Sequence, residues 1–589
     1  MRTQPPATTD TPPTPEPGTA RLAAASSGSP GRPVREVPAA GPAAVAASEG
    51  ARGTVAAPSG SLGRPVGEVP AAGATTAGGD AGRPAGGAPA ADSTGARPAG
   101  AAARTGAASD AVAGPGASRR TGAAQSGGAD RPAGAPGAAV DGVAADAPGA
   151  AGEVVGDVVG RVAAALARGV VGGSAVALEG AAGAALFLGE LARRDARWRA
   201  AAHTQVVAAA NALAGTGSAG LQYGPAAVLA AVQVAARPGG HYPRLLHTLT
   251  AHVAGEQQQR LAADPPGPGV GWSTYDAISG AAGTGRLLLA AVTEGDAQER
   301  AAAEPALRDT LRHLVAVSRP VTVDGRRLPG WWVPAHRQPT DADRRHFPRG
   351  DVNLGLAHGI AGPLALLARS AELGVTVDGQ PEAMHRIGDW LADRADHDAY
   401  GPYWEPRLPY DDELARARGE RTPPSGFAAA ESGGAWCYGA AGVATALLRA
   451  ALVTGTGAWH RLAVAGAHAL LARPHTLAHL KGPSLCHGEA GLVQCLWRAG
   501  RIAGDAELTG HALALASRLA GQWDAGAPYG FRHHAPADRA LGWDRAQPLV
   551  GEDNPGILEG AAGVGAVLLT ALPQPDDPDP VWDRVLLLS

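Results

Sequence analysis

An all-α architecture follows from three features of the chain. A glycine-centred phrase recurs along it, the stretches between the phrases carry apolar residues at helical spacing, and β-branched alternation is scarce. The phrase has the form apolar, small, Gly, x, Ala/Gly, Gly, followed by an Ala/Leu/Val run. It appears as LEGAAGAALFL from Leu178, LQYGPAAVLAA from Leu221, ISGAAGTGRLLLA from Ile278 and LAHGIAGPLALL from Leu356. Three more copies follow, WCYGAAGVATALL from Trp436, LCHGEAGLVQCL from Leu485 and ILEGAAGVGAVLL from Ile557. Their first glycines lie 44 to 80 residues apart, room for two helices and loops of variable length. Each unit therefore reads as a helical hairpin, with Leu462–Leu471 and Leu508–Leu519 as examples of the intervening helices. Glycines at the inner helix starts permit positive φ and close backbone approach. Seven hairpins whose glycine-rich ends converge predict a closed α,α-toroid with its polar loop residues gathered at one end.

The repeats occupy 153–589, whereas residues 1–152 differ in kind. That stretch holds no Phe, Trp, Tyr or Ile and two leucines, in a background of Ala, Gly, Pro, Ser and Thr. It cannot bury enough apolar surface to offset its ordering entropy and is expected to be a disordered tail. GRPVREVPAAG at Gly31 and GRPVGEVPAAG at Gly63 form a short duplication within it, read as low-complexity slippage. Met1 is followed by RTQPPATTDTPPTP, without the basic and apolar regions of a signal peptide.

A net charge of -4 leaves no basic footprint for nucleic acid. Val206–Ala236 lacks charges but is interrupted by Asn211, Gln222, Pro225 and Gln233, so a buried helix pair is expected there and not a membrane span. Three cysteines are too few for a disulfide framework, which suits a reducing cytoplasm and a metal or catalytic use.

Reactive residues sit in neighbouring repeats: Asp276 before the third phrase, His358 in the fourth, Cys437 in the fifth, Cys486 and His487 in the sixth. Two thiols and an imidazole form a tridentate set for zinc, with a fourth position open when the role is catalytic. A Cys/His nucleophile pair and a buried turn with neighbouring polar side chains remain as alternatives. GTGSAG at Gly215 has dinucleotide-loop spacing but follows a helical run and not a strand, so it reads as a loop between helices. Cys495 reads as a core cysteine, and His533 and His534 as solvated loop residues. Trp331, Trp332, Trp404 and Trp543 lie outside the phrases, as core packing or as a cavity rim.

WCYGAAG, SLCHGEAG, LAHGIAG, YDAISGAAG and the closing LEGAAGVGAVLL with WDRVLLLS together resemble the lanthionine synthetase C proteins, the cyclases of class I lanthipeptide biosynthesis. The resemblance covers Glu153 to Ser589. It implies an α,α-toroid, a zinc ion held by Cys437, Cys486 and His487, and an acid/base pair of His358 and Asp276. The implied reaction adds a peptide cysteine thiolate to dehydroalanine or dehydrobutyrine, closing a (methyl)lanthionine ring. The implied partners are a dehydrated precursor peptide, a dehydratase and an export complex, in the cytoplasm or peripherally at its membrane. One departure stands out: the family often carries an arginine four residues before the WCYG cysteine, and here Gly433 occupies that place. Arg418 or Arg421 is a candidate replacement. Two further function classes stay open, a catalytically idle peptide- or thiol-binding relative and a toroidal glycosidase using Glu405 with Asp411 or Asp412.

Overall fold

The computed structural model describes residues 148–589 apart from 171–172, 218–219, 237–238, 421, 423–432, 538–547 and 573–578. Residues 1–147 of the expected tail, with the duplication, and Arg421 and Trp543 lie outside the described residues. Each glycine phrase opens an inner helix, and each inner helix pairs with an outer one. In chain order the long helices are α1 (Pro148–Ala167), α2 (Ala181–Arg194), α3 (Arg199–Asn211), α4 (Pro225–Ala235), α5 (Pro243–Ala263), α6 (Ala281–Glu294) and α7 (Ala297–Val317). They continue as α8 (Ala361–Glu372), α9 (Gln380–Asp393), α10 (Ala440–Thr454), α11 (Gly457–Ala472), α12 (Glu489–Ala503), α13 (Ala506–Ala520) and α14 (Ala561–Thr570).

The even-numbered helices form the inner ring, each touching the next, and α14 returns to α2 to close it. Helix α1 packs against α14 as the seventh outer helix, so the first described helix completes the last hairpin. It begins at Pro148, inside the stretch expected to be tail. The two rings differ as their sequences require. Helix α4 is apolar except for Gln233 and buried from Pro225 to Val234, the pattern of a helix enclosed on every side. Helix α9 buries Gln380, Ala383, Met384, Ile387, Gly388 and Leu391, one face at i, i+3, i+4 spacing.

The phrase glycines are there chiefly for space. Gly439 (φ 100°) and Gly224 (φ 77°) take the left-handed backbone expected of them, but Gly180, Gly280, Gly488 and Gly560 are extended. What the helix starts share is crowding. A Cβ on Gly442 would lie 2.4 Å from the Trp436 carbonyl oxygen and 2.8 Å from Leu356 Cβ of the neighbouring repeat.

Among the described residues, eight short strands interrupt the connections: β1 (Val321–Val323), β2 (Arg326–Leu328), β3 (Asp351–Asn353), β4 (Asp396–Asp398), β5 (Gly401–Tyr403), β6 (Arg407–Pro409), β7 (Arg532–Pro536) and β8 (Leu549–Asp553). They pair antiparallel as β1–β2, β3–β6, β4–β5 and β7–β8. In β3–β6, Asn353 faces Arg407.

The last residues fill the middle of the ring. Arg498 Nε meets Asp583 at 2.6 Å, Arg449 donates to the Leu588 carbonyl at 2.8 Å and Arg286 to that of Ser589 at 2.7 Å, so three inner helices hold one segment. Trp331, Trp332 and Trp404 are buried in the core and form no rim. Val206–Ala236 divides between α3 and α4, with Gly215–Gly217 and Gly220 of the GTGSAG stretch in the connection, and no described helix is long and apolar enough to cross a membrane.

Candidate metal centre

The loops entering α10 and α12 bring Cys437, Cys486 and His487 together, with their ligand atoms all within 4.8 Å of one another. Cys437 Sγ lies 3.1 Å from His487 Nδ1. Adjacent Cys486 and His487 can share a site because their loop doubles back. Lys481 N–H donates to the His487 carbonyl at 2.7 Å, Glu489 N–H to that of Gly482 at 2.9 Å, and Cys486 N–H to that of Leu558 at 2.8 Å. Gly482 makes the bend at φ 74°, where a Cβ would also lie 2.7 Å from the His534 ring.

Zinc bonds of roughly 2.3 Å to sulfur and 2.0 Å to nitrogen put tetrahedral ligand atoms about 3.3–3.8 Å apart, so a cluster of this size fits that ion. The electrostatics agree. The hydrogen bond with Cys437, followed by burial, pushes the Cys486 thiol well above its ordinary range. Two sulfurs this close cannot both become thiolates without a cation between them. Burial is the largest single influence and by itself would lower His487, but the charge and hydrogen bond of Cys486 together with the Glu559 charge raise the imidazole.

Asp276 and His358 meet as well, although 82 positions separate them. His358 Nδ1 is 2.6 Å from Asp276 Oδ2. Asp276 is fully buried and accepts from the Ser279 N–H at 2.7 Å, while the His358 side chain keeps 26% exposure. Nδ1 is thus engaged by the carboxylate while the imidazole stays partly exposed. The His358 loop also touches the thiol loop: Leu356 N–H and Ala357 N–H both donate to the Cys437 carbonyl, at 3.1 and 3.3 Å. The His358–Asp276 pair and the Cys437, Cys486, His487 cluster therefore stand at the same end of the ring.

Several neighbours escaped the sequence reading. Of these only Tyr438 carried a signal in the sequence, since it stands immediately before the first glycine of its phrase, where the other phrases have Glu179, Tyr223, Ser279, His358, His487 and Glu559. Tyr438 places its ring 6.3 Å from that of His358, and burial pushes its phenol upward. Trp272 stacks on His358 with centroids 4.4 Å apart and an interplanar angle of 19°. Lys481, the only lysine in the sequence, brings a cation beside His487.

Other expectations change. His533 is no solvated loop residue: it lies on β7, fully buried, with Nδ1 3.2 Å from Ser484 Oγ in the thiol loop, because the β7–β8 hairpin folds over that loop. His534 is exposed. Cys495 is a buried core thiol, raised by burial. Arg418 is half-exposed and paired with Glu420, so its charge is already engaged away from the core. The glycosidase carboxylates occupy different environments: Glu405 is fully buried and Asp411 is 66% exposed and paired with Arg349.

With this geometry in view, the comparisons with known proteins are consistent. The family model described as lanthionine synthetase C-like protein matches residues 177–587, and the chain belongs to that family. Among solved structures it is similar to one titled nisin cyclase, at 18% identity and a TM-score of 0.56, covering 74% of this chain and 96% of that one. That likeness supports the toroidal fold. No curated protein matches the chain.

Proposed function

We propose that this protein is a zinc-dependent lanthipeptide cyclase that forms thioether rings in a dehydrated precursor peptide. The observation that carries this reading is the gathering of Cys437, Cys486 and His487 beside the His358–Asp276 pair at one end of the ring. A zinc ion held by the three ligands would lower the pKa of a substrate thiol and hold its sulfur, leaving a thiolate as nucleophile. The remaining chemistry belongs to the protein. As the sulfur–carbon bond forms at the β-carbon of dehydroalanine or dehydrobutyrine, the double-bond electrons move toward the carbonyl as an enolate. The α-carbon must then take up a proton. His358 delivers it from Nε2, while Asp276 on Nδ1 holds the ring and stabilises its charged form. The proton lost by the thiol restores His358, so one thiol is added overall and nothing is oxidised or reduced.

Gly433 supports a second reading, a relative that binds peptide or thiol without closing rings, because the position offers no cation to the enolate. Lys481 beside His487 argues for the cyclase by supplying a positive charge at the same rim. In the cell the protein would work on a leader-bearing peptide, with a dehydratase and an export complex as partners at the cytoplasmic face of the membrane.

The test is direct. Purified protein should hold about one zinc per chain, and the double variant Cys437→Ala, Cys486→Ala should hold none. The dehydrated precursor encoded beside its gene should lose free thiols on incubation, counted by alkylation and mass spectrometry. Full zinc occupancy in the double variant would sink the metal assignment; zinc without ring closure would favour the binder.

A further inference from the structure

His358 is held from two directions by a single turn of chain. Trp272 opens a four-residue helix, Trp272–Tyr275, and Asp276 follows it, donating its N–H to the Trp272 carbonyl at 2.9 Å. Positions i and i+4 of one turn share a face. The indole consequently lies against the imidazole plane, 4.4 Å between centroids, while the carboxylate takes Nδ1 at 2.6 Å.

Trp272 itself is not tied by its polar atom, since its buried Nε1 has no hydrogen-bond partner. What anchors the ring is a cation. The Arg407 guanidinium carbon lies 5.0 Å from the Trp272 centroid and 4.0 Å from that of Phe347. Arg407 is almost immobile: Nε meets Asp351 at 2.6 Å, Nη1 meets Asp343 at 2.5 Å and Nη2 donates to Gln338 at 2.6 Å. With two carboxylates on it, its charge is spent locally, and it serves as a fixed platform and not as a free cation for the substrate. Arg407 and Asp351 also join β6 to β3, and the chain leaves β3 directly into the loop that carries His358. One ion-paired group thus braces both the indole and the segment bearing the imidazole.

Resting on the cyclase reading for its catalytic consequence, we propose that Trp272, braced by Arg407, is a positioning residue that fixes the ring plane of His358 and keeps Nε2 aimed at the substrate. Asp276 alone restrains one nitrogen and leaves the imidazole free to tilt about that hydrogen bond. Stacking removes the tilt. Near-attack geometry tolerates little error, and a displacement of about 1 Å can cost about 100-fold in rate.

Trp272→Leu keeps apolar bulk but removes the aromatic face, whereas Trp272→Phe keeps the face and loses the N–H. Neither touches a metal ligand. Crystal structures of the variants give an answer that does not depend on turnover: in Trp272→Leu, His358 should leave its single orientation on Asp276, and in Trp272→Phe it should keep it. In the cyclisation assay Trp272→Leu should lower kcat by about 10- to 100-fold with KM and zinc content unchanged, and Trp272→Phe should recover most of the rate. A His358 ring that stays put in Trp272→Leu overturns the proposal. So does a kcat equal to that of the wild type. If His358 moves as expected and the wild type closes no rings, the clamp stands and the cyclase reading falls.

Discussion

At the scale of single residues, the centre depends on side chains whose chemistry is ordinary and whose placement is not. Cys437 and Cys486 are two thiols near in space, and His487 brings its Nδ1 to 3.1 Å from Cys437 Sγ. His358 is held by a buried carboxylate at 2.6 Å. If it delivers the α-proton, His358→Asn should keep zinc and slow ring closure by about 10²- to 10⁴-fold, the usual range for general acid/base catalysis. Asp276→Asn should behave in the same direction, because an amide can still orient the ring but cannot stabilise its charge. Equal thioether yields over time from wild type and His358→Asn would remove the proton-donor role.

At the scale of elements, the glycine phrases are packing devices. Gly442→Ala forces a Cβ against the Trp436 carbonyl and against Leu356, beside Cys437. It should cost about 1–3 kcal/mol of stability, the range for overpacking, and lower zinc affinity with it. Gly510 on α13 is the control, exposed and with nothing within 4 Å of where a Cβ would sit; Gly510→Ala should stabilise by up to about 1 kcal/mol. Denaturant unfolding followed by circular dichroism reads both. The seam that closes the ring carries a pH dependence. Glu179 accepts the Leu558 N–H at 2.7 Å and the Glu559 N–H at 3.2 Å. Burial, with the Glu559 charge adding, pushes its carboxyl up to about 7 from an ordinary 4.5. A raised carboxyl contributes stability that is present below its ordinary pKa and is lost as pH rises through the raised one. Between pH 5 and pH 8 the wild type should therefore lose more Tm than Glu179→Gln; parallel Tm profiles would refute the shift.

At the scale of the whole molecule, α1 closes what the repeats begin. It buries Val155, Val158, Val159, Val162 and Leu166. Each fully buried aliphatic side chain is worth about 1.5–3 kcal/mol, so the set rivals the total stability of a domain, about 5–15 kcal/mol. Removing residues 1–147 should leave Tm and zinc content unchanged, whereas removing residues 1–170 should yield insoluble or unfolded protein. Thermal melts and metal analysis of the two truncations separate the cases; equal behaviour would mean that α1 is dispensable.

Much of this was legible in the sequence, and the division follows from the range of the interactions. The glycine phrases, their number, the helical spacing between them and the identity of Asp276, His358, Cys437, Cys486 and His487 are local patterns, written in a few consecutive residues each. They determine the helices, the seven hairpins and the kind of chemistry available. The tertiary structure alone decided which side chains meet once the ring closes. Trp272 became a neighbour of His358 and Arg407, His533 was buried against Ser484, and Glu179 reached Leu558, 379 positions away. Contacts of that length depend on loop lengths and on the curvature summed over all seven hairpins, which no local pattern encodes.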